Sequence, residues 1–452
     1  MLKKKTGEIK DKKTSGHSTK TFRIILLSFA LMILAGALLL MLPIASRDRS
    51  VTSFKDTLFT AVSATCVTGL IVKDTATHWS LFGQIVIITL IQIGGMGVIT
   101  IGLTIMRVSG KKIGLGQRSM MQESISAPQI GGIIRLTGFI LKTTGIIELT
   151  GAVLLAPVFC RDFGIARGIW YSIFHSISAF CNAGFDLMGV REQFSSLTTY
   201  NDNIYVNCVI MMLIITGGIG FLTWGDICQY KHEIKKYSLQ SKVILLTSLV
   251  LIVVPAIYMF FFEYGDLPMK SRVMSSLFQS VTTRTAGFNS TDLSKMDESG
   301  QLIMIFLMVI GGSPTSTAGG MKTTTFAVLV ASAVSVFGRK KDVKCFNRRL
   351  PEEAARNAGA ILFVYMALFF SMGIVISRIE HLPLITCLFE TGSAVGTVGL
   401  TLGITTTLTL ASKIILMMLM FFGRVGALTL IYAAVPSENQ ASRLPLEKIS
   451  VG

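Results

Sequence analysis

The chain has 452 residues, of which 51% are hydrophobic and only 15% are charged. A soluble protein carries about 25% charged residues, so this composition excludes an ordinary soluble enzyme and indicates a membrane protein. The formal net charge of +17 would favour nucleic-acid binding in a soluble chain, and the positions of the charges along the sequence must therefore decide their role.

Eight apolar segments are long enough to cross a membrane, because a hydrocarbon core about 30 Å thick requires roughly 20 apolar residues in a helix. A lysine-rich stretch precedes the first segment, and the sixth is unusually long and interrupted in its middle. The eight predicted spans are residues 22–43, 81–106, 136–159, 203–225, 243–262, 301–337, 358–379 and 411–435.

Lysine and arginine are concentrated in every second connection between these spans. The positive-inside rule therefore predicts a multi-pass protein of the cytoplasmic membrane with both termini in the cytoplasm. The basic charge is explained by topology, with contact to membrane lipid or a cytoplasmic partner as an additional use, and no nucleic-acid role is predicted. The basic segments are the N-terminus and residues 107–135, 226–242, 338–357 and 436–452.

The four connections on the opposite face share one local pattern. Each contains a semi-apolar stretch followed by a small-residue turn that ends in glycine and an apolar residue. The glycine lies 11 residues after the first residue of the stretch in three copies and 10 residues after it in the third, and the glycines recur at intervals of 115, 103 and 112 residues. Such self-similarity predicts a repeat architecture. The stretches begin at Leu58, Ile173, Leu277 and Leu388, and the glycines are Gly69, Gly184, Gly287 and Gly399.

An 11-residue helix is roughly 17 Å long, so it can enter the membrane and return but cannot cross. Irregular backbone at membrane depth is tolerated only where it is buried in protein or lines a water-filled cavity. We therefore predict an all-α membrane protein in which four like-oriented repeats of span, re-entrant pore helix and span surround a central pore, with eight transmembrane helices arranged as in a potassium channel.

The predicted segments follow from these repeats. Each repeat begins and ends on the cytoplasmic side, so the basic connections become linkers. The segments are a basic cytoplasmic tail (1–21), repeat 1 (22–106), repeat 2 with its cytoplasmic linker (107–225), repeat 3 with a broken second span (226–337), repeat 4 with its cytoplasmic linker (338–435) and a cytoplasmic C-terminus (436–452).

The four glycine turns are the predicted selectivity filter for a cation. The fourth, Gly396-Thr397-Val398-Gly399, contains the Thr-Val-Gly triplet of potassium-channel filters, which indicates potassium. Rings of backbone carbonyls can replace the hydration shell of a cation, and small residues allow four strands to approach one axis. A divalent site is not expected, because none of the turns carries Asp or Glu. The predicted filter residues are Cys66, Val67, Thr68, Gly69, Cys181, Asn182, Ala183, Gly184, Arg284, Thr285, Ala286, Gly287, Gly396, Thr397, Val398 and Gly399.

The second span of each repeat contains a short glycine-rich segment. In three copies these glycines are consistent with close helix packing. The third copy contains proline and four glycines, which weaken a helix, and this break is a candidate gate. The predicted gate comprises Gly311, Gly312, Ser313, Pro314, Thr315, Ser316, Thr317, Ala318, Gly319 and Gly320, together with Lys322 and Arg424.

Charged residues at membrane depth are functional candidates because they are costly there. Arg424 replaces a glycine of the other repeats, and we expect its charge to repel potassium below the filter, with an interhelical salt bridge as the alternative. For Arg284 and Glu390 we expect a structural bridge behind the filter, and for His175 and Gln279, at the position of Glu390, a role in helix packing. The set at membrane depth is Glu148, Arg284, Lys322, Glu390 and Arg424.

The pore-helix units, the third turn from Arg284 to Phe288, the broken span at 311–325 and Arg424 together resemble the Trk/Ktr/HKT superfamily of potassium transporters, and within it the KtrB-type membrane subunits. The resemblance implies potassium uptake through one pore per subunit, with glycines at all four filter positions. It also implies a homodimer on a cytoplasmic ring of nucleotide-binding KtrA-like subunits. This chain has no Rossmann glycine fingerprint, so nucleotide control is expected from that partner.

Three functions are compared on these grounds. The first is gated potassium uptake as part of a Ktr-type system, with a sodium requirement left open and no cofactor bound by this chain. The second is a sodium-coupled secondary transporter of another solute, which would favour inverted repeats and paired intramembrane carboxylates. The third is a membrane enzyme, which is not expected because the five histidines form no spaced pair.

Overall fold

The computed structural model describes residues 23–97, 133–340 and 342–434. The basic tail, most of the linker before repeat 2 and the predicted cytoplasmic C-terminus lie outside the described residues. The helices are α1 Arg23–Met41, α2 Phe54–Thr65, α3 Leu81–Met96, α4 Ile133–Phe163, α5 Ile165–Phe180, α6 Ile204–Ile219, α7 Phe221–Tyr230, α8 Leu239–Tyr258, α9 Met269–Thr282, α10 Glu298–Val309, α11 Thr323–Phe337, α12 Glu352–Glu380, α13 Leu384–Gly396, α14 Leu410–Val425 and α15 Ala427–Ala434.

Four of the described helices are long and apolar enough to cross a membrane: α1, α4, α8 with its continuation to Glu263, and α12. The pair α6 and α7 is a fifth candidate, bent by 97° between its two helices. A two-residue hairpin, β1 Lys344–Cys345 against β2 Arg348–Arg349, lies between α11 and α12. The fold is that of a helical multi-pass membrane protein, while the count of eight spans stays a prediction.

The second spans of the repeats are more interrupted than the sequence suggested. Besides the break between α10 and α11, α3, α6 and α14 each end immediately before a glycine with positive φ, at Gly97 (+88°), Gly220 (+97°) and Gly426 (+90°). Only glycine adopts this backbone readily. The predicted spans 203–225 and 411–435 each contain such a break, so these glycines turn the chain as well as allow close packing.

The four short helices α2, α5, α9 and α13 contain the repeated stretches and are 12, 16, 14 and 13 residues long. They exceed the expected 11 residues because each begins before the repeated pattern. The phenylalanine in the second position of the pattern is at most 1% exposed in every copy, so the same residue anchors each short helix in the core. These residues are Phe59, Phe174, Phe278 and Phe389.

Candidate pore and gate

The four predicted filter glycines meet in a closed ring. A Cβ added to Gly69 would lie 2.5 Å from the carbonyl oxygen of Ala183, and one added to Gly184 would lie 2.8 Å from that of Ala286. The ring continues from Gly287 to the carbonyl oxygen of Val398 at 2.2 Å and closes from Gly399 to that of Thr68 at 2.1 Å. Each glycine thus faces the backbone of the next repeat, where no side chain would fit.

Backbone conformation is also the same in all four turns. The glycines have φ values between +68° and +96°, and the residue two positions earlier is left-handed as well, with φ between +53° and +70°. A left-handed conformation is uncommon for residues other than glycine, and its recurrence at one position marks a shared turn geometry. The left-handed residues before the glycines are Val67, Asn182, Thr285 and Thr397.

A hydroxyl one turn back along each short helix fixes the turn. The Oγ atoms of Ser63 and Ser393 accept hydrogen bonds from the amides of Gly69 and Gly399 over 3.1 and 3.0 Å. In the other two repeats the hydroxyl donates to the carbonyl oxygen after the glycine. These bonds run from Ser178 to Phe185 over 2.7 Å and from Thr282 to Phe288 over 2.6 Å.

The residue missing from the third copy is absorbed at the end of its helix. In repeat 1 the amide of Thr68 bonds to the carbonyl of Ser63, five residues earlier, over 2.8 Å. In repeat 3 the amide of Ala286 bonds to the carbonyl of Thr282, four residues earlier, over 3.0 Å. The shorter turn brings Gly287 to the same level as the other three glycines.

Further glycines let the second helix of a repeat pass directly beneath its short helix. A Cβ on Gly94, Gly217 or Gly423 would lie 2.0, 1.9 or 2.2 Å from a carbonyl oxygen at the end of α2, α5 or α13. Close approach of backbones through small residues is typical of membrane helices. The expected packing role therefore agrees with these contacts.

The segment between α10 and α11 crosses beneath the glycine ring. Its first part bonds to repeat 2, from the amide of Ser313 to the carbonyl of Gly218 over 3.1 Å. Thr317 donates from Oγ1 to the carbonyl of Phe180 over 2.9 Å. A Cβ on Gly319 would lie 2.1 Å from Oγ1 of Thr397, in the filter turn of repeat 4. We call residues 310–322 the intramembrane loop.

Arg424 ties the intramembrane loop to two other repeats. Its guanidinium donates to the carbonyl oxygens of Thr317, Gly94 and Gly95, the last over 2.8 Å. Among the described residues its partners are backbone carbonyls, and none of the ion pairs includes it. The alternative of an interhelical salt bridge therefore has no support within the described part of the chain.

Two cavities lie on either side of the glycine ring and the loop. One, of about 300 Å³, is lined by all four filter glycines and the loops that follow them. The other, of about 240 Å³, is lined by Arg424, Lys322 and intramembrane-loop residues. We call them the glycine-side and the arginine-side cavity. Lys322 and Arg424, the two basic residues of the predicted gate, thus both border the arginine-side cavity. The amine of Lys322 donates to the carbonyl of Ala318 over 2.8 Å.

For Arg284 and Glu390 a structural bridge was expected, and within the described residues each bonds to hydroxyl groups rather than to an opposite charge. The Arg284 guanidinium points away from the ring and donates to the hydroxyl of Ser248 on α8 over 3.0 Å. The Glu390 carboxylate is fully buried and accepts from the hydroxyls of Thr401 and, over 3.0 Å, Thr405. Arg284 thus contributes its backbone to the ring, while its side chain anchors α9 to α8.

Glu148 lies behind the glycine turn of repeat 2. Its carboxylate accepts from the amide of Gln92 over 3.0 Å, and its other oxygen is 3.9 Å from Sγ of Cys181. Glu148 is 9% exposed. It therefore braces α4 against α3 and the turn of repeat 2 rather than lining either cavity.

From the sequence we expected His175 and Gln279 only to pack between helices. In the structure both side chains bond to the loop that follows their glycine. Nε2 of His175 accepts from the amide of Leu187 over 3.2 Å, and the amide of Gln279 donates to Thr291 over 2.8 Å. Like Glu390, both side chains hold the loop that follows their own glycine. The polar residue at one fixed position of three short helices was the signal available in the sequence.

The fold and this site together define the class of membrane cation transporters. The chain matches the profile of the family described as "TrkH: Cation transport protein" over residues 2–443. It belongs to this family, as the sequence resemblance indicated. Family members transport cations, so the expectation that the chain is not an enzyme is confirmed.

Three bacterial relatives match over nearly their whole length. The chain is 40% identical over 442 residues to the potassium/sodium uptake protein NtpJ of Enterococcus hirae, covering 95% of this chain and 97% of that protein. It is 39% identical over 436 residues to the Ktr system potassium uptake protein B of Bacillus subtilis, covering 95% and 96%. The equivalent protein of Vibrio alginolyticus is 35% identical, with 95% and 94% covered.

The fold is also similar to a solved structure. The potassium transporter TrkH from Vibrio parahaemolyticus superposes with a TM-score of 0.73 and covers 92% of this chain and 85% of that one. The sequence identity is 18%, so this likeness supports the fold alone.

Proposed function

We propose that the chain is the pore-forming membrane subunit of a potassium uptake system, and that potassium passes through the glycine ring. The observation that carries the proposal is the closed ring itself, in which four turns from four repeats present only glycine and backbone to a common centre. The names of the relatives, which are potassium and potassium/sodium uptake proteins, support this choice of cation.

Selectivity would come from the backbone. A potassium ion loses part of its hydration shell on entry, and the carbonyl oxygens of the turns replace that water. All four short helices end at the ring, so the partial negative charges at their C-termini favour a cation there. The membrane potential would drive uptake, because each elementary charge gains about 2.3 kcal/mol per 100 mV.

Passage would be controlled by the intramembrane loop and Arg424. The loop crosses between the two cavities, and Arg424 holds it to the second helices of repeats 1 and 4. The guanidinium adds a fixed positive charge on the route of a cation. Movement of the loop away from Arg424 would connect the cavities, which makes this pair the gate of the proposed pore.

The same proposal includes topology and assembly. The four repeats would supply eight membrane spans, with both termini on the cytoplasmic side of the cytoplasmic membrane and the glycine-side cavity outside. Two copies would form a homodimer on a cytoplasmic ring of KtrA-like nucleotide-binding subunits. The support for such a partner is that two of the relatives are named as components of a Ktr system. Co-purification with a KtrA-like protein tests it.

Sodium is the second cation to be tested, because one relative is named a potassium/sodium uptake protein. Sodium would act either as a requirement for potassium uptake or as a transported ion. The competing function, sodium-coupled uptake of another solute, predicts that transport is indifferent to changes in the glycine ring. Rubidium uptake, with and without external sodium, separates these cases.

The decisive experiment measures rubidium and sodium uptake in proteoliposomes carrying Gly287→Ser. Gly287 has a φ of +78°, and its Cβ would lie 2.2 Å from the carbonyl of Val398, so serine must distort the ring. We expect selectivity for rubidium over sodium to fall by about tenfold or more. The matched control is Gly359→Ser on α12, where a Cβ meets no atom within 4 Å. Unchanged selectivity in a folded Gly287→Ser protein overturns the proposal.

A further inference from the structure

A second ring of residues lies directly outside the glycine ring. Two positions after each filter glycine, one residue from every repeat lines the glycine-side cavity of about 300 Å³. Three of the four side chains carry oxygen atoms, and one is a carboxylate. The members of this outer ring are Ile71, Asp186, Asn289 and Thr401.

The structure holds the outer ring in place. Oδ1 of Asp186 accepts from the amide of Met188 over 2.9 Å. Oδ1 of Asn289 accepts from the side-chain amide of Gln279 over 3.0 Å, so it is tied to its short helix. The backbone amide of Asn289 donates to Oγ of Ser196 over 3.1 Å. This bond joins the loops that follow the glycines of repeats 2 and 3.

Of the four members, Asp186 alone has a formal charge. Asp292 borders the same cavity, but its carboxylate is 3.4 Å from the amine of Lys295 and accepts from Ser294. Asp186 belongs to none of the ion pairs among the described residues. A single uncompensated carboxylate among neutral oxygens suits a monovalent cation, whereas calcium sites combine 6–8 oxygens that include several carboxylates.

We propose that the carboxylate of Asp186 binds a partly hydrated monovalent alkali cation at the outer ring, in series with the glycine ring. The inference rests on the proposed function, because the cation in question is the one that enters the pore. The cavity has room for the retained water, since each water occupies about 30 Å³ in the liquid. Asp186 raises the local cation concentration at the mouth and lowers the KM of uptake.

Protons would compete with the cation at this site. Desolvation within its loop, together with the nearby carboxylate of Asp74, raises the pKa of Asp186 to about 7. The charged groups to be considered around it are Asp74, from the loop after α2, and Asp292, at the same cavity. Because a carboxyl group with a raised pKa is protonated as the pH falls through that value, acid weakens the site and the KM of uptake rises.

The test measures the KM and maximal rate of rubidium uptake in proteoliposomes at about pH 6 and pH 8. Asp186→Asn removes the charge but keeps an oxygen that can accept from Met188. We expect its KM at pH 8 to rise about tenfold with the maximal rate retained, and the KM to become independent of pH over this range. A wild-type KM and pH profile in this variant would overturn the outer site.

Moving the charge separates binding from a structural role. In Asp186→Asn/Asn289→Asp the carboxylate lies on the neighbouring member of the ring, where an aspartate can still accept from Gln279. The outer site predicts that this double variant regains a low KM, whereas a need for Asp186 only as a cap of its own loop predicts no rescue. Absence of rescue, with both proteins folded, rejects the site.

Asp292→Asn is the control for a general loss of negative charge at the glycine-side cavity. It removes one negative charge at the same cavity, but that charge is offset by Lys295, so we expect less than a twofold change in KM. An equal effect of Asp292→Asn and Asp186→Asn would indicate a diffuse surface potential and contradict a site at Asp186. Failure of the wild-type protein to take up rubidium would instead reject the proposed function.

Discussion

Nη2 of Arg424 donates a hydrogen bond to the carbonyl oxygen of Gly95 over 2.8 Å, and these two residues occupy the same position in the second spans of repeats 4 and 1. The same guanidinium also bonds to Thr317 in the intramembrane loop. One side chain therefore connects three of the four repeats directly beneath the glycine ring. Its bonds are charge-assisted and directed at carbonyls, so Arg424 cross-links these three repeats.

Replacement of Arg424 by alanine is expected to increase potassium flux. The change removes a positive charge from the route of the ion and releases the intramembrane loop from Gly94 and Gly95. Charge-assisted hydrogen bonds contribute about 1.5–3 kcal/mol each, so loss of the tether corresponds to roughly a tenfold or larger rise in the open population. Rubidium uptake in proteoliposomes measures the effect.

Arg424→Lys separates the charge from the tether. Lysine keeps the positive charge but lacks the planar fork that reaches several carbonyls at once, so we expect a flux between those of the wild type and Arg424→Ala. Arg378→Ala, at the exposed end of α12, controls for loss of a basic residue. A flux in Arg424→Ala no higher than in Arg378→Ala, at equal expression, would refute the barrier role.

Thr317→Val tests the other attachment of the intramembrane loop. The Thr317 hydroxyl donates to the carbonyl oxygens of Phe180 and Gly217 over 2.9 and 3.1 Å, while its own carbonyl accepts from Arg424. Valine has nearly the same shape but leaves the two carbonyls without this donor. We expect a flux increase of severalfold, smaller than that of Arg424→Ala, because the guanidinium bonds persist.

Thr150→Val on α4 is the matched control for this change. The hydroxyl of Thr150 bonds within its own helix, to the carbonyl of Ile146 over 2.8 Å, and the residue is exposed. Its replacement should leave the flux unaltered. If Thr317→Val folds and its flux equals that of Thr150→Val, the hydroxyl does not hold the loop closed.

Glu390→Ala is expected to destabilise the loop that follows Gly399 in repeat 4. Glu390 is fully buried and accepts from Thr401 and Thr405, so alanine leaves two hydroxyls without their acceptor beside a new cavity. We expect a loss of about 1–3 kcal/mol, seen as a lower thermal midpoint in detergent. Glu390→Gln keeps an acceptor and should lie close to the wild type.

Glu380→Ala gives the comparison at the surface. Glu380 also accepts from a threonine, through the amide and hydroxyl of Thr409 over 3.0 and 2.6 Å, but the contact is exposed to solvent. Water can replace the lost carboxylate there, so the midpoint should change little. Equal losses in Glu380→Ala and Glu390→Ala would argue against a special role for the buried position.

The repeated pattern in the sequence predicted the short helices and the four glycines because both have local causes. A buried phenylalanine and a glycine with positive φ recur at a nearly fixed spacing, as at Phe59 and Gly69, and a single sequence is enough to recognise such a pattern. The break at residues 311–320 was equally visible, since proline and several glycines oppose a helix. Membership of the cation transporter family followed from the same features.

The partners of the buried charges could not be predicted in this way. Arg424 bonds to carbonyls that are 107 and 329 residues away in the chain, and carbonyls are present at every residue, so no residue type marks them. The partners of Arg284 and Glu390 were unpredictable for the same reason. Each side chain found hydroxyl partners, Ser248 or Thr405, that only the packing of neighbouring helices brings close.

The glycines beneath the short helices provide the last test, of packing rather than conduction. A Cβ on Gly217 would lie 1.9 Å from the carbonyl of Phe180 and 3.0 Å from Oγ1 of Thr317, so alanine must push α6 away from α5 and from the intramembrane loop. Overpacking of this kind costs about 1–3 kcal/mol. We expect Gly217→Ala to lower the thermal midpoint and to raise basal flux together, because one contact serves both the fold and the closed loop.

Gly225→Ala on α7, where a Cβ meets no atom within 4 Å, should be neutral or slightly stabilising. A Gly217→Ala protein that loses stability but keeps a wild-type flux would separate the two effects and show that the glycine serves helix packing alone.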